Sequence, residues 1–534
     1  MELPYNKCQR ELEELLGSQY PLIFLRSSEE NRAINCIIAA YRSLCNNNII
    51  EGELAEWRSI NGFYKLTTEN NWQSTNYAPQ PNTDPIIYAL DFLQTQLQNQ
   101  ARKNIDQQYT YILPDWSTLI EPTCHLTTRK LKELVLAIAQ TKPRPRMNLI
   151  IVGSDWSIPT TMRNYIHILD LPLPIGEELY QNIFKLAVTK YNLAENRAKD
   201  LAEKAQGMNF QAVAQTAKLI TTKNLWQQPE EASKLLLEVK KQEIEKIGIL
   251  DYYEPLGEGL QEVGGLENIK TWVKERYPWF EQDADPDMRP RALLLEGFPG
   301  CGKSFIARAI AIEWRVPQIN FEISRLQSKW VGESESNTYQ ALRAIEASAP
   351  NILFMDEIEK AFAGVGGDSS GTTTRQFGTF LTWLNDHKEP IFFIATSNDR
   401  SILPPEIFRA GRFDETFIVL PPTTKERYEI IQKRIKARQL NPISDSLLEY
   451  LVENTLGFSG AELDKLVKES KILAGLNQQP TETHWQKALK KINPQYKNPR
   501  MKELLKSYIN LIAKGNVQSA SEVEEGFFED ILSE

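Results

Sequence analysis

Cysteine and histidine are scarce in this 534-residue chain, at five and four residues. Cys8, Cys36, Cys45, Cys124 and Cys301 show no CxxC spacing and one of them must stay unpaired, so neither a disulfide framework nor a zinc site is indicated. No run of eighteen apolar residues exists, which leaves no candidate for a membrane-spanning helix and predicts no membrane insertion. Basic residues are not in excess. A net charge of -9 and a pI near 5.4 argue against a broad phosphate-binding surface and make nucleic acid a minor candidate as partner. The opening stretch, MELPYNKCQRELEELLGSQY, lacks both the apolar core of a signal peptide and the Arg/Ser bias of a transit peptide. Together these absences predict work in a reducing aqueous compartment.

What is present is an ordinary globular composition, 41% hydrophobic and 25% charged, in a chain too long for one core, so two to four domains are expected. Pro255, Gly257 and Gly259 break regular structure after a helix end near Asp251, which puts a boundary there. Downstream, the apolar runs ALLLE (292–296), NILFMD (351–356) and IFFIAT (391–396) alternate with helical stretches, the pattern of a parallel sheet buried between helices. After Pro421 and Pro422 the strands stop and helical periodicity takes over, as in a separate helical subdomain.

The first half echoes this plan at PLIFLRS (21–27), TYILPDW (110–116) and LIIVGSDW (149–156). The helical stretch from Leu171 lays over the one from Leu420, with the distances to Gly207 and Gly457 differing by one residue. Duplication of an α/β unit with a helical lid is the economical explanation; any amphipathic helix pair would align comparably.

The chemistry-bearing residues lie between 262 and 461. EGFPGCGKS (296–304) is GxxxxGKS between an apolar run and a helix, the setting a phosphate loop requires. Gly297, Gly300 and Gly302 let backbone N–H groups approach phosphates, with Phe298, Pro299, Cys301 and Phe305 completing the contact. Lys303 reaches the β- and γ-phosphates of a nucleotide, and Ser304 offers a hydroxyl to magnesium. Cys301 is either oxidation-sensitive or simply a small residue where one is needed. Asp356 and Glu357 end a buried strand, suited to holding a cation and polarising a water respectively. Asn398 ends a third strand and could hold that water, or could be a turn-forming Asn. Arg409 and Arg412 sit on a short loop too far along to serve their own phosphates, as fingers offered to a neighbouring subunit or as solvated surface arginines.

EVGGLENIK (262–270), the phosphate loop, SKWVGESES (328–336), DEIEKAF, ATSND, FRAGRFD and GFSGAEL (457–463) resemble, in order and spacing, the AAA subfamily of hexameric AAA+ remodelling ATPases, over about residues 260–475. The resemblance implies an Mg-dependent ATPase with ATP and Mg2+ as cofactors, a homo-oligomeric ring of six and an unidentified protein partner. It implies that Val263, Gly264, Gly265, Gly460 and Ala461 line the adenine pocket and that Arg409 and Arg412 act in trans. In such a ring Lys329, Trp330 and Val331 would face a central pore where Trp330 grips a polypeptide; otherwise Trp330 is a core residue stapling its loop. GVGGDSSGTTT (364–374) would be a second pore loop or a flexible connector.

More narrowly, GVGGDSSGTTTRQFGTFLTWLNDHKEPIFFIATSND, with an upstream domain lacking a phosphate loop, resembles the AAA protein of a hypothetical chloroplast reading frame in algal plastids and cyanobacteria. That implies a cytoplasmic protein in a cyanobacterium or a stromal one in a plastid, with a role in carbon dioxide utilisation.

The loop RSSEENRA in the first half has no glycine, and Glu29 and Glu30 stand where phosphates need positive charge, so ATP should be repelled. Asp115 is expected to keep the strand-end acid, with Trp116 replacing the glutamate and Asp155 replacing the Asn. The expected organisation is α/β throughout. Residues 1–245 form a degenerate AAA-like module, 246–259 a linker, 260–420 the AAA+ parallel sheet, 421–500 a helical lid, and 501–534 a helix with an acidic tail. That tail is a docking peptide or a helix packed on its own ring.

Overall fold

Alternation of buried apolar runs with helices produces a parallel-dominated sheet in each half of the chain. The computed structural model describes residues 3–58, 61–68, 71–75, 84–103, 107–120, 125–140, 146–154, 156, 158–281, 284–322, 333–361, 378, 380, 382–384, 386–409, 411–515 and 517–522. Lys329, Trp330 and Val331, the stretch 364–374, Cys124, Asp155 and the acidic tail from 523 lie outside the described residues. The chain divides into two compact units, Met1–Lys240 and Lys241–Glu534.

In the first unit the strands are β1 (Leu22–Arg26), β2 (Gly52–Arg58), β3 (Gly62–Leu66), β4 (Trp72–Ser74), β5 (Gln108–Pro114), β6 (Arg146–Gly153) and β7 (His167–Asp170). They lie in the order β4-β3-β2-β5-β6-β1-β7. In the second unit β8 (Leu250–Tyr253), β9 (Ala292–Gly297), β10 (Gln318–Phe321), β11 (Asn351–Met355), β12 (Ile391–Ser397), β13 (Glu415–Val419) and β14 (Gln518–Ser519) lie in the order β14-β13-β9-β12-β11-β10-β8. Taken in chain order, the five parallel strands of each unit have one arrangement: β2-β5-β6-β1-β7 and β10-β11-β12-β9-β13. The central strands are largely apolar because helices cover both sheet faces; β9, β11 and β12 are buried throughout, their polar Glu296, Asn351, Thr396 and Ser397 included. Helices that follow each sheet close cores of their own, around Phe184 and Leu201 in the first unit and around Ile431, Leu466 and Trp485 in the second.

Two expectations need correction. The stretch 246–259 is not all linker, since Leu250 and Tyr252 alternate inward and β8 pairs antiparallel with β10 as a sheet edge. Strands also do not stop at Pro422: after helix Pro499–Ala513 the two-residue β14 pairs parallel with β13, too short to leave a sequence signal. That helix buries Leu505 and Ile509 in the core under the second sheet.

Both units place a residue with left-handed backbone just after the third parallel strand, Asp115 at φ 62° and Glu357 at φ 50°. By this shared backbone Asp115 is the counterpart of Glu357, and Pro114 that of Asp356. Trp116 does not replace the glutamate; its side chain is wholly buried in the first unit's core. The one-residue offset arises because β5 runs on through Pro114, which a sequence overlay of strand ends cannot show.

Candidate active site

β9 delivers the glycine loop to the start of α1 (Lys303–Glu313), where the helix adds its positive end. Gly297 has φ 134°, and a Cβ there would lie 2.2 Å from the Val419 carbonyl oxygen on β13, so the strand can turn into the loop only with glycine. The Lys303 side chain folds back into the loop. Its ammonium donates to the carbonyl oxygens of Gly297 (2.9 Å) and Phe298 (3.0 Å), and no carboxylate among the described residues ion-pairs with it. Burial lowers its pKa below the ordinary lysine value, with Glu359, Asp356 and Glu357 acting in the other direction. A buried ammonium held only by carbonyl dipoles is stabilised strongly by an incoming anion.

Opposite the loop, the Ser304 hydroxyl donates to both oxygens of Asp356 at 3.1 Å. Thr396, at the end of β12, orders both acids: its hydroxyl donates to Asp356 and accepts the Glu357 backbone N–H at 2.9 Å. Asn398 donates through its side-chain amide to Glu357 Oε1 at 2.9 Å, and Lys360 pairs with the other oxygen. The Asn398 backbone is itself held by the buried Glu359 (3.0 Å) and by the Tyr508 hydroxyl, which donates to the Asn398 carbonyl oxygen at 3.1 Å. The left-handed backbone of Glu357 costs roughly 1–2 kcal/mol for a non-glycine residue, strain of the sort that concentrates where a side chain must be aimed.

The lid closes the third side. Capping boxes at Thr423/Glu426 and Ser459/Glu462 start α2 (Thr424–Ala437) and α3 (Gly460–Ala474). Glu426 also accepts the Leu266 N–H at 2.8 Å, tying the 263–266 segment to α2. A Cβ on Gly264 would meet Ile430 at 2.7 Å and one on Gly265 would meet Glu426 at 2.2 Å, so the glycine pair permits this close approach. The Ala461 N–H donates to the Gly300 carbonyl oxygen at 2.9 Å, joining lid to loop.

These pieces enclose a cavity of about 440 Å³. Of the residues singled out in sequence, Val263, Gly264, Pro299 to Phe305, Asp356, Glu357, Asn398, Gly460 and Ala461 line it. Gly265 and Gly297 act behind it through backbone geometry, and Phe298 is fully buried in the core, contributing its carbonyl rather than its ring. Arg409 and Arg412 do not line the cavity. Arg409 is exposed, and one buried guanidinium nitrogen of Arg412 has no acceptor among the described residues. Ile430, Lys433, Arg434 and Asp464 line the cavity from the lid without having been singled out. Helical spacing along KERYEIIQKRIKARQ could have marked one face of α2 but not its target.

The Cys301 thiol is pushed up to about 12 by burial, the nearby Lys303 charge only partly opposing this. A thiolate fraction roughly 10³-fold below that of an ordinary cysteine is implied, so alkylation of Cys301 at pH 8, followed by peptide mass spectrometry, is expected to be very slow. Labelling of Cys301 as fast as that of a free thiol would contradict this.

The first unit has a larger cavity, about 780 Å³, lined by the start of its N-terminal helix, the start of helix Glu30–Asn46 and its lid helices, but with other chemistry. Helix Glu30–Asn46 begins where α1 begins in the second unit, and Glu30 takes the place of Lys303. Burial and the facing carboxylates Asp115 and Glu56 raise its pKa. Glu29 accepts the Phe210 N–H at the start of a lid helix and a 2.8 Å bond from Arg32, which in turn pairs with buried Glu178 at 2.8 Å. Carboxylates thus surround the start of this helix, where a phosphate needs positive charge. Calorimetry on the full chain is expected to find one Mg-ATP per chain, all of it lost in Lys303→Ala. Residual micromolar binding in that variant would place nucleotide in the first unit.

A glycine loop with a buried lysine, a Ser–Asp pair, a strand-end glutamate with its Asn, and a capping lid on a 2-3-4-1-5 parallel sheet define the α/β fold of a P-loop ATPase of the AAA class. Residues 293–420 match the model for "ATPase family associated with various cellular activities (AAA)", and residues 8–171 match "SpoVK-like AAA ATPase, N-terminal domain". The chain belongs to the family of AAA domain-containing proteins that includes ycf46 of algae: it is 31% identical to ycf46 of Guillardia theta, covering 90% of each chain. It is 33% identical to that of Trieres chinensis, covering 87% of this chain and 88% of the other. Similarity to the cell division cycle protein 48 homolog of Archaeoglobus fulgidus, 31% identical, spans 44% of this chain and 35% of that one. No helix among the described residues is long and apolar enough to cross a membrane.

Proposed function

We propose that the second unit hydrolyses ATP with magnesium, in a ring of copies that lend one another Arg409 and Arg412, and that the cycle remodels a protein partner. The observation that carries this reading is Lys303, a buried ammonium satisfied among the described residues only by loop carbonyls and open to a cavity that also holds Asp356, Glu357 and Asn398. Magnesium fits the Ser304 hydroxyl and Asp356 carboxylate, an oxygen donor set of the kind a hard cation takes together with phosphate oxygens. When bound, it supplies charge neutralisation at the β- and γ-phosphates.

Lys303 and the loop N–H groups hold the phosphates. Glu357 takes the proton from the attacking water, and Asn398 fixes both that water and the carboxylate. Val263, Gly264, Ile430 and Ala461 form the wall for the base, with Gly460 letting the lid approach the loop. The first unit, which shares the sheet order, reads as a duplicated module that has lost hydrolysis and kept architecture for assembly or partner binding. Its self-satisfied Glu29–Arg32–Glu178 cluster favours a second reading, a nucleotide-gated scaffold that binds without threading. The algal relatives support a plastid origin, and we place the chain's work in a plastid stroma or, in a cyanobacterium, the cytoplasm.

The two readings part on stimulation. A partner captured by a Glu357→Gln trap and added back to the intact chain is expected to raise ATP turnover several-fold. Unchanged turnover with retained binding would favour the scaffold.

A further inference from the structure

Arg400 stands two residues beyond Asn398, on a 3-10 turn whose start is fixed by the Asp399 carboxylate accepting the Ser401 N–H at 3.0 Å. Among the described residues its guanidinium makes two contacts. One is to Glu296, the last residue before Gly297 of the phosphate loop, whose side chain is wholly buried and whose other oxygen has no partner among the described residues. The other is to the ring of Phe408, with the guanidinium carbon 3.8 Å from the ring centroid. Phe408 directly precedes Arg409. One planar cation therefore touches the root of the phosphate loop and the root of the finger loop, and a rigid fork stacked on a ring transmits position better than a flexible ammonium could.

We propose that Arg400 is a positioning residue for the arginines that a chain offers its neighbour, setting the finger loop through Phe408 while anchored on Glu296 beside the chain's own phosphate loop. The proposal rests on the shared-site reading above. Glu296 gives the anchor its cost: burial holds its carboxyl high, at about 7, despite the Arg400 charge, so the cation is what keeps a carboxylate tolerable at that depth. Neither Arg400 nor Phe408 lines the cavity, so a loss of either should act on turnover rather than on ATP affinity.

The test uses two variants of the full chain. Arg400→Lys keeps a cation for Glu296 and loses the planar stack, while Phe408→Ala removes the ring and leaves the ion pair, so one remains informative if the other fails to fold. Each alone is expected to lower kcat about 10–10²-fold, the scale of a small misplacement of a reacting group, with ATP affinity changed less than threefold. Mixed with a Lys303→Ala chain, which brings intact fingers, each should regain activity; mixed with an Arg409→Ala/Arg412→Ala chain, which needs good fingers, each should not. Wild-type turnover in both variants, or the opposite pattern of recovery, overturns the proposal while leaving the shared site standing. If the Arg409→Ala/Arg412→Ala and Lys303→Ala chains fail to complement each other in demonstrably mixed assemblies, the shared site itself falls and this role falls with it.

Discussion

Removing Arg412, or Arg412 and Arg409 together, is expected to leave ATP binding almost normal and to lower turnover by about 10³–10⁵-fold, the contribution of comparable trans-acting arginines. The asymmetry follows from placement. Neither side chain lines the cavity that holds Lys303 and Glu357, so neither can contribute much to ground-state affinity within one chain. Arg409 is exposed and Arg412 half-buried, so both can be offered to a second copy, the one buried Arg412 nitrogen without an acceptor among the described residues having to turn outward to do so. Within one chain, charge developing on the γ-phosphate would meet Lys303, the loop N–H groups and magnesium without the added guanidinium of a neighbour. Specific activity is accordingly expected to fall on dilution to the monomer. An Arg409→Ala/Arg412→Ala chain turning over within tenfold of wild type would remove the need for a neighbour.

Glu357→Gln is expected to keep ATP binding and to lose turnover by roughly 10²–10⁴-fold, the range for a positioned general base. The amide is nearly isosteric and can still pair with Asn398, so the left-handed turn and the Thr396 contact to the backbone N–H should survive. What is lost is the acceptor for the water's proton. Lys360, now paired with Glu357, would also be released, which affects local charge but not the phosphate loop. Single-turnover phosphate release measures the effect directly, and near-normal release would move the base elsewhere.

Much of the site was legible because its chemistry is local in sequence. The glycine loop with Lys303 and Ser304, the pair Asp356–Glu357 and the strand-end Asn398 each sit within a few residues of a recognisable strand end, and the parallel sheet follows from the apolar runs that carry them. The residues that tune them were not legible. Thr396 is an ordinary β-branched strand residue until register sets it beside Asp356, and Tyr508 reaches Asn398 from 110 positions away. Ile430, Lys433, Arg434 and Asp464 belong to amphipathic lid helices whose periodicity shows a face without showing what it faces. The same limit explains the misplaced acid of the first unit: Asp115 could be counted from the strand's end only once the strand was seen to include Pro114.

The central claim is that one active site is built from two chains, and subunit mixing tests it most directly. An Arg409→Ala/Arg412→Ala chain retains an intact phosphate loop, and a Lys303→Ala chain retains intact fingers, while each alone should stay near background. Hydrolysis rising well above either parent as the two are mixed, and scaling with the fraction of mixed assemblies, is the result the shared site predicts; background activity in assemblies shown to contain both chains would contradict it.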